Sequence, residues 1–426
     1  MSGAGGLMRS PALLLAVPFL IGIAVLKGLT VEIDTFHGSD AAVYQLPTIM
    51  HFREGLHFSD YPSAQTPLFH MVMAGWGKLV GFDLWKLRLL NVAISYAAAL
   101  ALLRLLLRST SLDVLPAFAL TLAFTLSPYF FGASFTLLTD NLAILFALLA
   151  LERLYTYRQE GSFAVFATAC LWTGAALLTR QSFLWVALVA AVFLVLTDRR
   201  SPARLFGGLA LLALALAPVA ALAIEWNGLV PPSADPASCG LCTDKPGVGR
   251  DSLTLRTVGF TVGVFGLYAA AVLGPGVLRR AVRVDWRLVG AGAAVGVALV
   301  LISPLEFRPV GAQAAGDAGY LWQISKHLPT VLGTSLLFWA AVPLGGAAAA
   351  VLARRAGWTS LPSVHIACFL VVVLPVALAY QKYFDPFALL AVTLFARPPD
   401  FRGRWDYAGV AAVCAGSVAY ALSFAG

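Results

Sequence analysis

Apolar stretches long enough for membrane helices recur along all 426 residues, and most of the charges sit in the short polar segments between them. A hydrocarbon core about 30 Å thick takes roughly 20 helical residues to cross, so the pattern predicts successive membrane helices rather than strands. The first window, Pro11 to Leu29, has no small-residue cleavage site behind it and reads as a retained span. The windows at 183–197 and 386–396 are short for a bilayer, which suggests tilted neighbours, local thinning or a buried cavity. No repeat of fixed period, Gly/Ser linker or low-complexity tail divides the chain, so one integrated bundle over 1–426 is expected.

Basic residues orient the spans. Arg199, Arg200 and Arg204 form one cluster; Arg279, Arg280, Arg283 and Arg287 a second; Arg354 and Arg355 a third; Arg397, Arg402 and Arg404 a fourth. Short loops of this kind stay on the cytoplasmic side, which puts 225–256, 304–326 and 380–385 outside. Continuing towards the N-terminus places Arg153, Arg158, Arg104 and Arg108 inside, with Arg180 and Asp140 outside. Parity then requires that Pro67 to Phe82 not cross. That window is short and carries His70, Trp76 and Lys78, as a juxtamembrane or half-inserted helix would. The expected fold is an all-α polytopic membrane protein of about 13 crossing helices, with that juxtamembrane helix in the first outer loop, residues 30–82.

Composition supports the bilayer as partner. Hydrophobic residues make up 60%, charged residues only 12%, and the mean hydropathy is +0.83, whereas a soluble domain carries roughly a quarter charged residues. The net charge of +8 does not point to nucleic acid, because the arginines cluster at span ends instead of lining one basic face. The richness in Ala, Leu, Gly and Arg suggests a bacterial chain, and hence the bacterial plasma membrane.

The chemistry concentrates at the outer ends of the spans. The island Glu32 to Thr66 gathers acids, histidines and tyrosines directly behind the first span. Asp40 stands between Gly38-Ser39 and a short helix expected over Ala41 to Met50; it is either that helix's N-cap or a carboxylate able to take a proton from an attacking hydroxyl. Asp140 opens the span 141–156 and is either a cavity-facing functional group or, with Thr139, another N-cap. Arg180 and Gln181 interrupt apolar sequence with hardly any loop; the guanidinium fork suits phosphate oxygens, and its alternative is a snorkelling interfacial arginine. Lys382 occupies an equally short turn, where it either neutralises a leaving phosphate or pairs with Asp385. His70 either lines the same cavity or is merely solvated. Glu306, Asp317 and His327 lie in an outer loop with three glycines, a weak signal for acceptor binding. Cys239 and Cys242 are spaced for a small disulfide, while Cys170, Cys368 and Cys414 read as packing. P-loop, dinucleotide-binding, metalloprotease and nucleophile-elbow motifs are all missing.

Taken in order, Asp40 with Tyr44 to Pro47, Gln65 to Phe69, Leu137 to Asn141, Leu178 to Trp185 and Gln381 to Phe387 resemble the GT-C glycosyltransferases, which use polyprenyl-phosphate sugars. Within that class the likeness is nearest to the α-1,2-glucosyltransferases that add the terminal glucose of the dolichol-linked oligosaccharide. The resemblance implies a metal-independent, cofactor-free, inverting hexosyl transfer from a polyprenyl-phosphate donor to an extracytoplasmic glycan, lipid or protein, as in cell-envelope glycan biosynthesis. By matching position it makes Asp40 the acid that orients or deprotonates the acceptor, Asp140 a second polar contact, Arg180 and Gln181 the polar pair beside the site, and Lys382 a phosphate contact; Tyr44, Gln45 and His70, near Asp40 in the sequence, are expected as further substrate contacts. The chain departs from the pattern at Ala41 and Ala42, where a second acid is usual, and at Gln45, where the family has histidine. Two rival readings are a transporter or flippase for a lipid-linked sugar, which favours internal repeats and mid-membrane polar residues, and a catalytically silent homologue, consistent with the departures.

Overall fold

The computed structural model describes residues 9–25, 40–234, 255–275, 285–307, 319–376 and 379–422, and these are helical almost throughout. Five helices among them are long and apolar enough to cross a bilayer: Leu84–Ser109, Gln181–Asp198, Pro202–Glu225, Leu255–Val272 and Leu336–Ala356. Val114–Leu126 and Pro128–Ser134 make a sixth if this pair, bent by 70°, is taken as one span. Pro11–Val25, Leu68–Val80, Phe163–Thr179, Trp286–Ile302, Leu361–Val373 and Asp385–Phe395 are apolar but shorter. The protein is an all-α integral membrane protein. Its contacts divide it into two compact units: Met1–Ser109 with Asp113–Cys239 and Cys414–Gly426, and Thr110–Leu112 with Gly240–Val413.

The first unit contains α1 (Arg9–Val25), α2 (Leu46–Glu54), α3 (Leu68–Val80), α4 (Leu84–Ser109), α5 (Val114–Leu126), α6 (Pro128–Ser134), α7 (Asp140–Glu160), α8 (Phe163–Thr179), α9 (Leu184–Asp198) and α10 (Pro202–Glu225). The segment expected as a helix at Ala41 to Met50 is already helical at Asp40, passes through a π-type turn, Ala41–Gln45, and continues as α2 to Glu54. Pro47 accounts for the irregular turn: it has no N–H to donate to the preceding turn, yet it fits the first positions of α2. α3, with 13 residues, is about 20 Å long, well short of the hydrocarbon thickness, and ends at Gly81 with φ +100°. α7 packs along α4 and α8, and α10 lies against α8 and α9. α10 buries only Gly208 and Leu212, so most of its apolar surface stays open, as a lipid-facing helix requires.

The segment between α2 and α3 is a packed cap. Tyr61, Phe52, Phe69 and Trp226 are buried, with the Tyr61 ring 5.3 Å from Phe52 and 5.8 Å from Trp226. Trp226 Nε1 donates to the Phe58 carbonyl at 2.7 Å, and the Ser233 amide donates to Asp60 at 2.8 Å. Side-chain hydrogen bonds therefore hold this segment where regular secondary structure is lacking.

The second unit contains α11 (Leu255–Val272), α12 (Trp286–Ile302), α13 (Tyr320–Ser325), the hairpin β1 (Thr330–Val331) and β2 (Thr334–Ser335), α14 (Leu336–Ala356), α15 (Leu361–Val373) and α16 (Asp385–Phe395), and it holds the start of α17 (Ala408–Leu422). α11, α12 and α14 pack together through glycines: a Cβ at Gly345 would lie 1.9 Å from the Val262 carbonyl oxygen, and one at Gly296 2.6 Å from that of Val342. Such backbone approach is how helices associate where water supplies no hydrophobic drive. Asp285 caps α12, accepting from the amides of Arg287 and Leu288, and also pairs with Arg354.

Candidate functional site

In the first unit the site forms where α8 stops and α9 begins. Arg180 adopts extended backbone, φ −160° and ψ 116°, so the helical run breaks at the residue that carries the charge. Its Nη1 donates to Asp140 Oδ2 at 2.7 Å and to Thr139 Oγ1 at 3.1 Å, and its Nε to Ser182 Oγ at 3.3 Å. The Arg180 guanidinium is buried, while Asp140 keeps part of its surface exposed. Neither Thr139 nor Asp140 caps α7 through its side chain: the N-cap residue Thr139 has αR dihedrals and no cap hydrogen bond. The cap alternative for Asp140 is therefore corrected to an ion pair, because the guanidinium lies within reach and offers a charged donor. A snorkelling Arg180 is excluded by the same bond.

A buried amide network holds Asp140 in place. Asn141 Nδ2 donates to Ser95 Oγ at 2.8 Å and to the Phe130 carbonyl at 3.0 Å; Asn91 Nδ2 donates to the carbonyls of Ala133 at 2.7 Å and Thr136 at 2.5 Å. These bonds satisfy carbonyls left open by the short helix α6 and the irregular residues before α7, so they set where α7 starts. Sequence reasoning did not single out Asn91 or Ser95. The available signal was a polar residue inside an apolar helix, which must find a partner.

Gln181 reaches the other way. Its Nε2 donates to the Ala64 carbonyl at 2.6 Å and to that of Leu229 at 3.3 Å, and Thr66 Oγ1 donates to the Leu177 carbonyl at 2.6 Å. The break carrying Arg180 is thus stitched to the cap. Gln181 Oε1 is buried without a hydrogen-bond partner.

His70 is not solvated, which corrects that alternative: it is fully buried on α3, its Nε2 2.6 Å from Gln45 Oε1. With the Gln45 oxygen as acceptor, Nε2 carries the proton, and Nδ1 is buried with no partner. Burial lowers the His70 pKa well below its ordinary value and keeps the ring neutral. Burial likewise raises the pKa of Tyr61, whose hydroxyl donates to the Gln65 carbonyl at 2.8 Å. Tyr44 contributes its carbonyl to Thr48 Oγ1 at 2.7 Å, and Thr48 Oγ1 accepts the Ser63 amide at 3.0 Å. Asp40, half-buried, precedes the π-type turn with αR dihedrals and no side-chain cap bond, so the N-cap reading of Asp40 is also corrected. A residue already in the helical conformation cannot turn its carboxylate back onto the first amides.

Lys382 belongs to the second unit, in the turn Gln381–Tyr383 ahead of α16, with its ammonium 5.3 Å from the Tyr383 ring centre. It does not pair with Asp385. That carboxylate is fully buried and taken by three other donors: Tyr268 at 2.7 Å, Gln381 Nε2 at 2.8 Å and Tyr320 at 3.0 Å. Gln381 Oε1 in turn accepts the Leu321 amide at 2.9 Å, and Trp322 Nε1 donates to the Ala379 carbonyl at 2.7 Å, so α13 is clamped onto the Lys382 turn. Burial, and then the neighbouring Asp385 charge, push the Tyr320 hydroxyl pKa up. Tyr268 and Tyr320 also escaped sequence reasoning, because nothing local marks two tyrosines 52 residues apart as partners. Glu306 takes part through its carbonyl, which accepts from Arg256 at 2.7 Å, and His327 is exposed. Cys170, Cys368 and Cys414 are free thiols, the first two buried. The Cys239–Cys242 pair, Asp317, and Arg279, Arg280 and Arg283 lie outside the described residues.

The fold and site define a helical integral membrane protein with an ion pair at a helix break and a polar cap bonded onto that break. Residues 64–224, less than half of the chain, match the profile of the family described as dolichyl-phosphate-mannose-protein mannosyltransferase. Among solved structures, ArnT from Cupriavidus metallidurans in the apo state is similar at 15% identity and a TM-score of 0.38, over 89% of this chain and 76% of that one. No curated protein matches the chain.

Proposed function

We propose that this chain is a GT-C-type membrane glycosyltransferase that moves a sugar from a polyprenyl-phosphate donor to an acceptor hydroxyl on the extracytoplasmic face. The observation that carries the reading is the Arg180–Asp140 pair at the α8–α9 break, inside the stretch that matches the mannosyltransferase profile. In this reading about 13 helices cross the membrane, α3 lies along its outer surface, and one bundle does the work of the whole chain.

The chemistry assigned to the residues is inverting. The acceptor hydroxyl attacks the anomeric carbon from the face opposite the phosphate, its proton passes to the Asp40 carboxylate, and the bond from anomeric carbon to phosphate oxygen breaks. Polyprenyl phosphate leaves as an anion, for which Arg180 supplies a fork of donors. Asp140 holds that fork at rest and keeps the buried guanidinium from standing uncompensated. Gln181 Oε1 and His70 Nδ1, buried acceptors without partners, are assigned to hydroxyl donors of substrate or water, since an unmade bond at each costs about 1–3 kcal/mol. The resemblance also assigns Lys382 to the donor phosphate; Tyr44 and Gln45, near Asp40 in the sequence, are assigned to the substrate side of the cap. The specific family of terminal α-1,2-glucosyltransferases, the hexosyl group and the bacterial plasma membrane belong to the same proposal.

Asp40→Asn tests it. Asn keeps the size of the Asp40 side chain and removes its charge, so in a variant whose melting curve shows it folded, sugar incorporation in membranes is expected to fall at least about 100-fold, the scale of a lost general base. Full incorporation by a normally folded variant removes Asp40 from the mechanism. Binding of a polyprenyl-phosphate sugar by the parent without turnover identifies a silent homologue instead.

A further inference from the structure

We propose that the β1–β2 hairpin of the second unit is a membrane-dipping anchor whose tip, Val331 and Leu332, sits in the outer leaflet beside the ends of α12 and α14. The reading is independent of the transferase assignment.

The hairpin is tight and apolar where such turns are ordinarily polar. Thr330 pairs with Ser335 and Val331 with Thr334, leaving Leu332 and Gly333 as a two-residue loop with φ of +49° and +72°. Both positions of this turn favour Asn, Asp or Gly. A leucine there is strained, because its Cβ crowds the backbone at positive φ. The strained residue is also exposed: Leu332 is 70% and Val331 48% accessible.

The rest of the hairpin is rigidly fixed. Thr334 and Ser335 are buried; Thr334 Oγ1 accepts the Leu305 amide at 2.8 Å, and Ser335 Oγ bonds Ser325 Oγ at 2.9 Å. Trp339 Nε1, on the first turn of α14, donates to the Val331 carbonyl at 2.9 Å. An apolar tip on a rigid base cannot fold back to hide itself.

Its surroundings identify the occupant as lipid. Leu301 and Ile302 at the end of α12, Ile324 on α13 and Leu328 just after it are exposed as well. α12 begins at Asp285, which pairs with Arg354 near the far end of α14. The hairpin therefore lies at the opposite end of these two helices from the Arg354–Arg355 cluster, which the basic-residue rule puts on the cytoplasmic side. Lys326, exposed in the segment just ahead of the hairpin, offers an ammonium suited to lipid headgroups. The consequence reaches the clamp described above: anchoring the hairpin steadies α13, which carries Tyr320 to Asp385.

The test places an environment-sensitive fluorescent amino acid at Leu332 by amber suppression in the full chain, in nanodiscs of phosphatidylcholine and phosphatidylglycerol. The same probe at Glu160, an exposed residue at the end of α7, serves as the aqueous control. Shallow doxyl-labelled lipid is expected to quench the probe at 332 several-fold more strongly than at 160, with the reverse order for iodide. Equal iodide quenching at both positions would overturn the anchor. So would a probe that neither quencher reaches, which would place protein, such as a second copy of the chain, over the tip.

Discussion

Replacing Asp140 by Asn removes one charge from a pair with little solvent around it. The Arg180 side chain is 10% accessible and the Asp140 side chain 24%, with 2.7 Å between Nη1 and Oδ2. Breaking a fully buried pair by removing one partner costs about 3–5 kcal/mol. Here water reaches a quarter of the carboxylate and screens its share. Arg180 also keeps its bonds to Thr139 and Ser182, and Asn retains an acceptor oxygen. The expected loss is therefore about 1–3 kcal/mol. Arg180→Gln should lose a similar amount, while the double variant, which leaves no charge unpaired, should lose less than the sum by about 1–2 kcal/mol. The assay is a double-mutant cycle from equilibrium unfolding in mixed micelles, followed by tryptophan fluorescence. A parallel measurement of polyprenyl-phosphate binding separates holding the fold from holding the ligand. Asp140→Asn leaves the guanidinium in place and should retain binding, whereas both variants that lack Arg180 should lose it. A coupling energy below about 0.3 kcal/mol would refute the claim that the pair holds the break together, and undiminished binding by Arg180→Gln would remove the phosphate role.

Gly345→Ala should destabilise the second unit by about 1–3 kcal/mol, since the new methyl would lie 1.9 Å from the Val262 carbonyl oxygen and α11 and α14 would have to separate; a thermal midpoint equal to the parent's would contradict that packing. His70→Gln should flatten the pH dependence of stability. Burial lowers the folded-state pKa of His70, so its contribution is complete above the ordinary value of about 6.5 and is lost as pH falls below it, at up to about 1.4 kcal/mol per pH unit. Melting curves of parent and variant between pH 7.5 and 5 should diverge, and parallel curves would show that the imidazole is not held neutral.

Much of this was legible in the residue order, for reasons that are local. A bilayer leaves backbone groups no partner but the same helix, so apolar runs had to become helices. Arginine between two such runs had to mark a break, as it does at Arg180. Pro47 and Gly81 fix where α2 starts and α3 stops. The cap alternatives failed at Asp40 and Asp140 because sequence shows that an acid lies near a helix start, but not whether its backbone is already helical, as at Asp40, or which donor will lie nearest its carboxylate, as at Asp140. At Asp140 that donor comes from 40 residues further along the chain. Lys382 and Asp385 stand three apart and invite pairing, yet Tyr268 and Tyr320 reach the carboxylate from other elements.

What the sequence by itself determined, then, is the helical membrane architecture, the polar character of the cap and the identity of the charged residues at the ends of apolar runs, because each follows from hydropathy and chain connectivity alone. The tertiary structure decided the partners: Arg180 with Asp140, His70 with Gln45, Gln181 with Ala64, and Asp385 with two tyrosines. It also left Asp40, Asp140 and Arg180 in one compact unit and Lys382 in the other. In a low-dielectric interior a charge or amide takes whichever partner the packing of distant helices brings within about 3 Å, and that distance is written nowhere in the local sequence.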